Sequence, residues 1–227
     1  RQRGAHFIAA ALEKGATAVL LDGHSATLPQ IAVPVIRVSD ARRATAFAAE
    51  AAYGFPSKCL RLVGLTGTNG KTTTVALVER ALAVVGAKPA RLGTTGFAFD
   101  GQERESNLTT PEADQISRYL AQVVAKGGTH FIMEASSHAL DQGRVDALKF
   151  EVAAFTNLTQ DHLDHHGTMS AYEAAKQRLF TDLAPAKAVI NVDDPAGQRM
   201  AERARSGRVV VVGRAAARHR AGNRAVR

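Results

Sequence analysis

The chain has 227 residues, 45% of them apolar, enough for one good core or for a small domain beside a larger one. Its net charge of +8 is concentrated at one end: residues 203–227 hold eight Arg and no Asp or Glu, leaving 21 basic against 21 acidic groups elsewhere, which argues against a nucleic-acid-binding face. There is no run of about 18 apolar residues to span a bilayer and no basic-then-apolar leader. The single Cys59 cannot close an internal disulfide, so the expectation is a cytoplasmic monomer with no membrane or nucleic-acid partner.

In chain order, "AHFIAAALEKG" has helical spacing ending at Gly15, and "ATAVLLD" and "VPVIRVS" are short apolar runs. Asp40 stands where it can cap the helix "ARRATAFAAEAAYG". "GFPSK" reads as a linker. Beyond it, "LRLVGLT" is a buried-type strand and "TTTVALVERALAVVG" an amphipathic helix stopped by Gly86. "TTPEADQISRYLAQVVAKGG" is a helix with a Thr cap, Pro111 in its first turn and Gly127 at its end. The strands "THFIMEAS" and "VAAFTNLT" follow, then the helix "SAYEAAKQRLFTDL", the strand "KAVINVD", the helix "PAGQRMAERARSG" and the strand "RVVVVG". Strands alternating with helices predict an α/β fold with a mainly parallel sheet covered on both faces, preceded by a small partial α/β domain. The expected divisions are 1–56, 57–213 and an Arg-rich, disordered tail at 214–227.

Between the first long strand and its helix lies "LTGTNGKTTT". Its glycines and Lys resemble a phosphate loop, but G-x-x-x-x-G-K-[ST] wants Gly where Leu65 stands. Gly67 and Gly70 let the backbone N–H groups turn inward, the helix N-terminus favours an anion, and Lys71 can reach the outer phosphates of a nucleotide. Thr72 can offer a hydroxyl to Mg²⁺. The plainer alternative is a tight turn with a surface Lys.

Two further clusters follow strands. Glu134 in "FIMEASSHALDQGRV" can hold a cation near the loop's phosphates, although a Glu ending a strand is more often only an exposed charge. "NLTQDHLDHHG" packs Asp161, His162, Asp164, His165 and His166 into a short span, suggesting a metal or phosphate site without a zinc pattern, or else a polar loop. By composition Lys176 is a solvated helix residue.

Together "GTNGKTT", "LTTPE", "MEASSHALDQGRV", "FTNLTQDHLDHHG" and "YEAAKQRLF" resemble the Mur ligases, ATP-dependent amide-forming enzymes of peptidoglycan precursor synthesis, and among them the branch that adds the third, diamino residue. The resemblance covers about residues 4–195. It implies that Thr66, Gly67, Thr68, Asn69, Gly70, Lys71, Thr72 and Thr73 bind ATP, and that Thr72, Glu134 and His162 hold Mg²⁺. It further implies that Thr109, Thr110, Ser136, Gln142 and Arg144 bind UDP-MurNAc-L-Ala-D-Glu, and that Lys71, His162 and a carbamylated Lys176 serve catalysis. The implied reaction phosphorylates the D-Glu carboxylate, and the amine of meso-diaminopimelate or L-lysine then attacks the acyl phosphate. The family continues through more central strands and a C-terminal amino-acid-binding domain, so the chain is expected to be a fragment with reduced or no activity. Two other readings stay open: a non-catalytic nucleotide- or UDP-sugar-binding module, and a folylpolyglutamate-type ligase.

Overall fold

The computed structural model describes residues 4–23 and 31–214. Beyond Arg214, the expected Arg-rich tail lies outside the described residues.

The first elements are a 3₁₀ turn at Gly4–Phe7, α1 (Ile8–Glu13), β1 (Val19–Asp22), β2 (Val35–Val38) and α2 (Ala41–Ala52). Strands β1 and β2 form a parallel pair. Asp40 caps α2 as its sequence suggests, its carboxylate accepting from the backbone N–H groups of Arg42 and Arg43. The "GFPSK" linker is anchored rather than loose. Phe55 takes a left-handed conformation (φ 58°), Pro56–Lys58 form a 3₁₀ turn, and Ser57 is buried. Its hydroxyl and N–H donate to the buried Glu50 carboxylate, whose other oxygen accepts from Ser117.

The main sheet is built from β3 (Arg61–Thr66), β4 (Pro89–Gly93), β5 (Gly96–Phe99), β6 (Gln102–Arg104), β7 (His130–Glu134), β8 (Phe150–Phe155), β9 (Lys187–Asn191) and β10 (Arg208–Val212). Its order is β10-β9-β8-β3-β7-β4-β5-β6, parallel from β10 to β4. The antiparallel β4–β5–β6 arm was not expected from the sequence, and it closes that end of the sheet. The helices are α3 (Lys71–Val84), α4 (Ala113–Ala125), α5 (Ser137–Asp141), α6 (Leu163–His166), α7 (Met169–Thr181) and α8 (Pro195–Arg203).

Alternate strand residues enter different cores, which is the pleat at work. Leu62, Phe131, Met133, Ala153 and Phe155 pack in the large cluster with residues of α4, α7 and α8, such as Leu120, Leu179 and Met200. Val63, Leu65, Ile132 and Ala154 face the other way, toward Val75, Val78 and Leu82 of α3. Helix α3 packs chiefly on β3, β7 and β4, and beside it Val152, Ala154 and Val189 line an open apolar hollow. The expected covering of both faces is therefore partial among the described residues.

The Thr cap expected for α4 does not form. The helix starts at Ala113 with Glu112 as its cap residue, and Glu112 makes no side-chain capping bond. Thr110 is drawn away to β7, donating to the Glu134 carbonyl and accepting from the Ser136 N–H. Strand β8 starts earlier and stops sooner than "VAAFTNLT" suggests, because Thr156–Thr159 leave the ladder to hold the glycine loop.

Candidate active site

Strand β3 lies between β7 and β8, while its chain connection through α3 crosses β7 to β4 and that of β7 crosses β3 to β8. Such a reversal at the carboxyl ends of parallel strands leaves a crevice where ligands collect. The loop 67–70 fills it. Gly67 (φ 146°) and Gly70 (φ 84°) have backbone conformations that L side chains rarely adopt, and a Cβ on Gly67 would strike the Thr156 hydroxyl. The start of α3 leaves the N–H groups of Lys71, Thr72 and Thr73 without intrahelical acceptors, facing the crevice with the positive end of the helix dipole.

The loop is stapled to the segment after β8. The Thr68 N–H donates to the Asn157 carbonyl (2.8 Å), the Asn69 N–H to Asn157 Oδ1 (3.0 Å), and the Asn69 carbonyl accepts from Thr156 Oγ1 and Asn157 Nδ2. Thr68 Oγ1 bridges the carbonyl and N–H of Thr159. No signal in the sequence marked Thr156, Asn157 and Thr159 for this task, since the partners stand about ninety residues apart.

Glu134, at the end of β7, is 1% exposed. Its Oε1 accepts from Thr72 Oγ1 (2.8 Å) and the Thr94 N–H (2.9 Å), and Thr94 Oγ1 reaches Oε2 at 3.3 Å. A Cβ on Gly93 would run into this carboxylate, so Gly93 leaves room for it. Among the described residues no Lys or Arg comes within ion-pair distance of Glu134. A buried carboxylate without a cation is costly unless hydrogen-bonded or metal-bound. That arrangement, beside the Thr72 hydroxyl, fits Mg²⁺, which prefers oxygen ligands. Thr66 Oγ1 is also buried without a protein partner. The bland expectation of an exposed Glu is overturned, because β7 is a central strand and its end is roofed by the β4–β5 turn.

Lys176, on α7, is 1% exposed, which overturns its compositional reading as a solvated residue. Its Nζ donates to the Gly67 carbonyl at 2.8 Å and lies 4.3 Å from the centre of the Tyr172 ring, one helical turn earlier. Burial, and then repulsion from Lys71, bring its pKa down to about 7. Lys71 Nζ donates to the carbonyls of Gly67 and Thr68, both at 2.9 Å. Its pKa is lowered by burial, with Glu134 and Asp161 acting in the opposite direction.

The residues implied for substrate form a second chain of contacts. Arg144 donates to the Thr110 carbonyl (2.8 Å) and to Gln142 Oε1 (2.7 and 3.1 Å), and pairs with Glu112 at 2.9 Å. Thr110 joins Ser136 and the backbone of Glu134, and Ser136 caps α5. Thr109 meets Thr94 through their hydroxyls at 3.1 Å. Asp146, whose side chain is 3% exposed, accepts from Arg178 Nη2 through both of its carboxylate oxygens (2.9 and 3.1 Å) and also pairs with Arg43. Sequence reading missed this pair.

His162 does not bond to Glu134. It has a left-handed backbone (φ 52°), its ring nitrogen lies 3.5 Å from Asp161, and its ring stands edge-on to His138 and Tyr172. His165 bonds Asp141 at 3.0 Å and His166 bonds Ser137 at 3.0 Å. Burial lowers the pKa of His138 and His166, and neighbouring histidines add to the shift. Thr66, Gly67, Thr68, Asn69, Gly70, Lys71, Thr72 and Thr73 thus form one continuous cradle, with Glu134 and Lys176 on it and His162 at its side.

Residues 65–225 match the family model described as the Mur ligase middle domain. The chain is 44% identical over 205 residues to UDP-N-acetylmuramoyl-L-alanyl-D-glutamate--2,6-diaminopimelate ligase of Geobacter metallireducens, covering 87% of this chain and 40% of the relative. A solved structure of a ligase with that same name superposes with a TM-score of 0.77 at 34% identity, over 91% of this chain and 42% of that one. Folylpolyglutamate synthase of Mycobacterium tuberculosis, at 15% identity and a TM-score of 0.60, covers 74% of this chain and 46% of its own and shares the fold. The chain spans about 40% of the length of the curated relative it matches. With the match running through the glycine loop, Glu134, the histidine loop and Lys176, the chain belongs to the Mur ligase family.

Proposed function

We propose that the chain carries the ATP-binding centre of a ligase that joins a diamino acid to UDP-MurNAc-L-Ala-D-Glu. The observation that carries the reading is the convergence on one loop of Thr72 bound to a buried Glu134 and of a buried Lys176 whose amine is half neutral near pH 7. The name of the Geobacter relative favours 2,6-diaminopimelate over L-lysine as the added residue. Residues 1–56 are assigned to the UDP-substrate domain and 57–213 to the central domain. No helix among the described residues is long and apolar enough to cross a membrane, and a cytoplasmic, monomeric enzyme is proposed.

A carboxylate and an amine form a salt at neutral pH, so amide formation needs an activated acyl group. ATP with Mg²⁺ supplies that activation when bound, by phosphorylating the D-Glu carboxylate. The chain's part is electrostatic and positional. The N–H groups at the start of α3 would take phosphate oxygens, and Lys71, which donates to the carbonyls of Gly67 and Thr68, would add its charge to the outer phosphates. Thr72, Glu134 and His162 would hold Mg²⁺. Thr109, Thr110, Ser136, Gln142 and Arg144 orient the substrate's peptide. The neutral Lys176 amine attacks CO₂, a C–N bond forms, a proton leaves to solvent, and the resulting carbamate is an anion where a cation stood.

Calorimetry of this chain with ATP in the presence and absence of Mg²⁺ tests the centre. Mg²⁺-dependent binding, lost in K71A and weakened in E134Q, is expected; binding that ignores both substitutions would overturn the assignment. ADP release that requires both UDP-MurNAc-L-Ala-D-Glu and diaminopimelate tests the reaction. Turnover with folate and glutamate instead would favour the folate-type ligase.

A further inference from the structure

Outside the nucleotide cradle, four imidazoles crowd together where α5 meets α6. The ring of His138 lies 4.9 Å from that of His162, 4.1 Å from His165 and 5.6 Å from His166, and those of His165 and His166 are 4.7 Å apart. Neighbouring helix residues normally point about 100° apart, yet the last two residues of α6 turn their rings to the same side. They meet Asp141 at the end of α5, and one ligand atom from each of Asp141, His165 and His166 lies within 4.8 Å of the other two. Ligands on an ion with bonds of about 2.0–2.2 Å stand roughly 3.3 Å apart. Small side-chain movements therefore close the triangle, and His165 is already 3.0 Å from Asp141.

We infer that Asp141, His165 and His166 form a binding site for a borderline divalent transition ion of the Zn²⁺ or Co²⁺ type, distinct from the Mg²⁺ position at Thr72 and Glu134. Two imidazole nitrogens beside one carboxylate favour such ions over Mg²⁺, which binds oxygen ligands by preference. His138 packs its ring against that of His165 beside the triangle, and water can fill the open positions. The ion ties α5, which carries Ser136 as its cap, to α6, which begins at His162. Occupancy thus fastens the substrate-side turn to the histidine loop. The site does not depend on the ligase reading, since it is defined by its own residues.

Titration of the full chain with Co²⁺, followed by visible absorption and competed with Zn²⁺, tests the site. One equivalent is expected to bind in the presence of excess Mg²⁺, with affinity falling at least tenfold in H165A and in H166A and several-fold in D141N. E134Q and H130A should leave Co²⁺ binding unchanged. In the unaltered chain, paramagnetically shifted ring-proton resonances from two histidines are expected, a readout that needs no variant to fold. Displacement by Mg²⁺, loss of binding in E134Q, affinity unchanged from that of the unaltered chain in H165A or H166A, or absence of shifted histidine signals would each overturn the inference; the last would leave the cluster as an ordinary hydrogen-bonded contact of His165 with Asp141 and His166 with Ser137.

Discussion

Lys71 and Lys176, more than a hundred residues apart, donate to the same acceptor, the carbonyl oxygen of Gly67, at 2.9 and 2.8 Å. Two amines on one oxygen repel each other when both are protonated, and the more buried one yields: Lys176 titrates near 7. In the unfolded chain Lys176 keeps its proton to about its ordinary value of 10.5, so between these limits the unfolded state binds more protons. Stability therefore rises with pH from about 7 toward 10.5, and the full penalty of burying the ammonium is present below 7. Relative to K176M, the unaltered chain should gain roughly 2 kcal/mol between pH 6.5 and 9 in CO₂-free buffer. Parallel stability curves for the two proteins in denaturant melts would refute this.

The same neutral amine should be carbamylated. In ¹³C-bicarbonate near pH 8, a carbamate resonance is expected in the unaltered chain and not in K176M. The signal should weaken as the pH falls below 7, where the amine is protonated.

Replacing Glu134 should separate folding from function. Gln keeps the size and one acceptor for Thr72 and the Thr94 N–H, so E134Q should unfold within about 1–2 kcal/mol of the unaltered chain. Its Mg²⁺-dependent affinity for ATP should fall by about tenfold or more, because the neutral amide no longer offers charge to the cation. Titration calorimetry with and without Mg²⁺ distinguishes these effects.

Gly67 and Gly86 both have positive φ but different surroundings. A Cβ at Gly67 meets Thr156, whereas nothing lies within 4 Å of one at Gly86. G86A should cost about 1 kcal/mol from backbone conformation alone. G67A should cost about 2–4 kcal/mol and disrupt the nucleotide loop as well. Equal melting temperatures for the two variants would contradict the crowding.

Asp146 is the buried partner of two arginines from different elements, Arg43 in α2 and Arg178 in α7. D146A should destabilise by about 1–2 kcal/mol, since Arg178 loses its buried acceptor while keeping Asp182 and the Leu140 carbonyl, and D146A combined with R178M should cost less than the sum of the single changes. A double-mutant cycle by urea unfolding measures that coupling.

Local patterns were legible where local chemistry decides the outcome. Asp40 before an apolar helix, Gly86 and Gly127 after helices, and the strand–glycine–helix around Lys71 all stood out because turn and cap requirements act within a few residues. The helix α5 is too short to show a period, and the β4–β6 arm carries its signal only in "GTTG" and "DG" turns. Thr110 misled because a capping residue and a strand-end bridge use the same hydroxyl, and only the fold decides between them. Burial of Glu134 and Lys176 is a long-range property; the charge of each, read alone, points outward. The family resemblance, rather than composition, singled out Lys176. The histidine density was visible, but the approach of Asp141 to His165 and His166 depends on α5 lying against α6.

The staple between Thr68–Asn69 and Thr156–Thr159 means that the shape of the glycine loop is set by bonds within the chain itself. Binding need not order a loose loop, so the entropy loss that weakens many flexible phosphate sites is already borne by folding. The same bonds make the glycine loop and the approach to His162 a single mechanical unit. Occupancy at either end should stiffen the other, detectable as slowed amide exchange at Thr68 and Thr159 together.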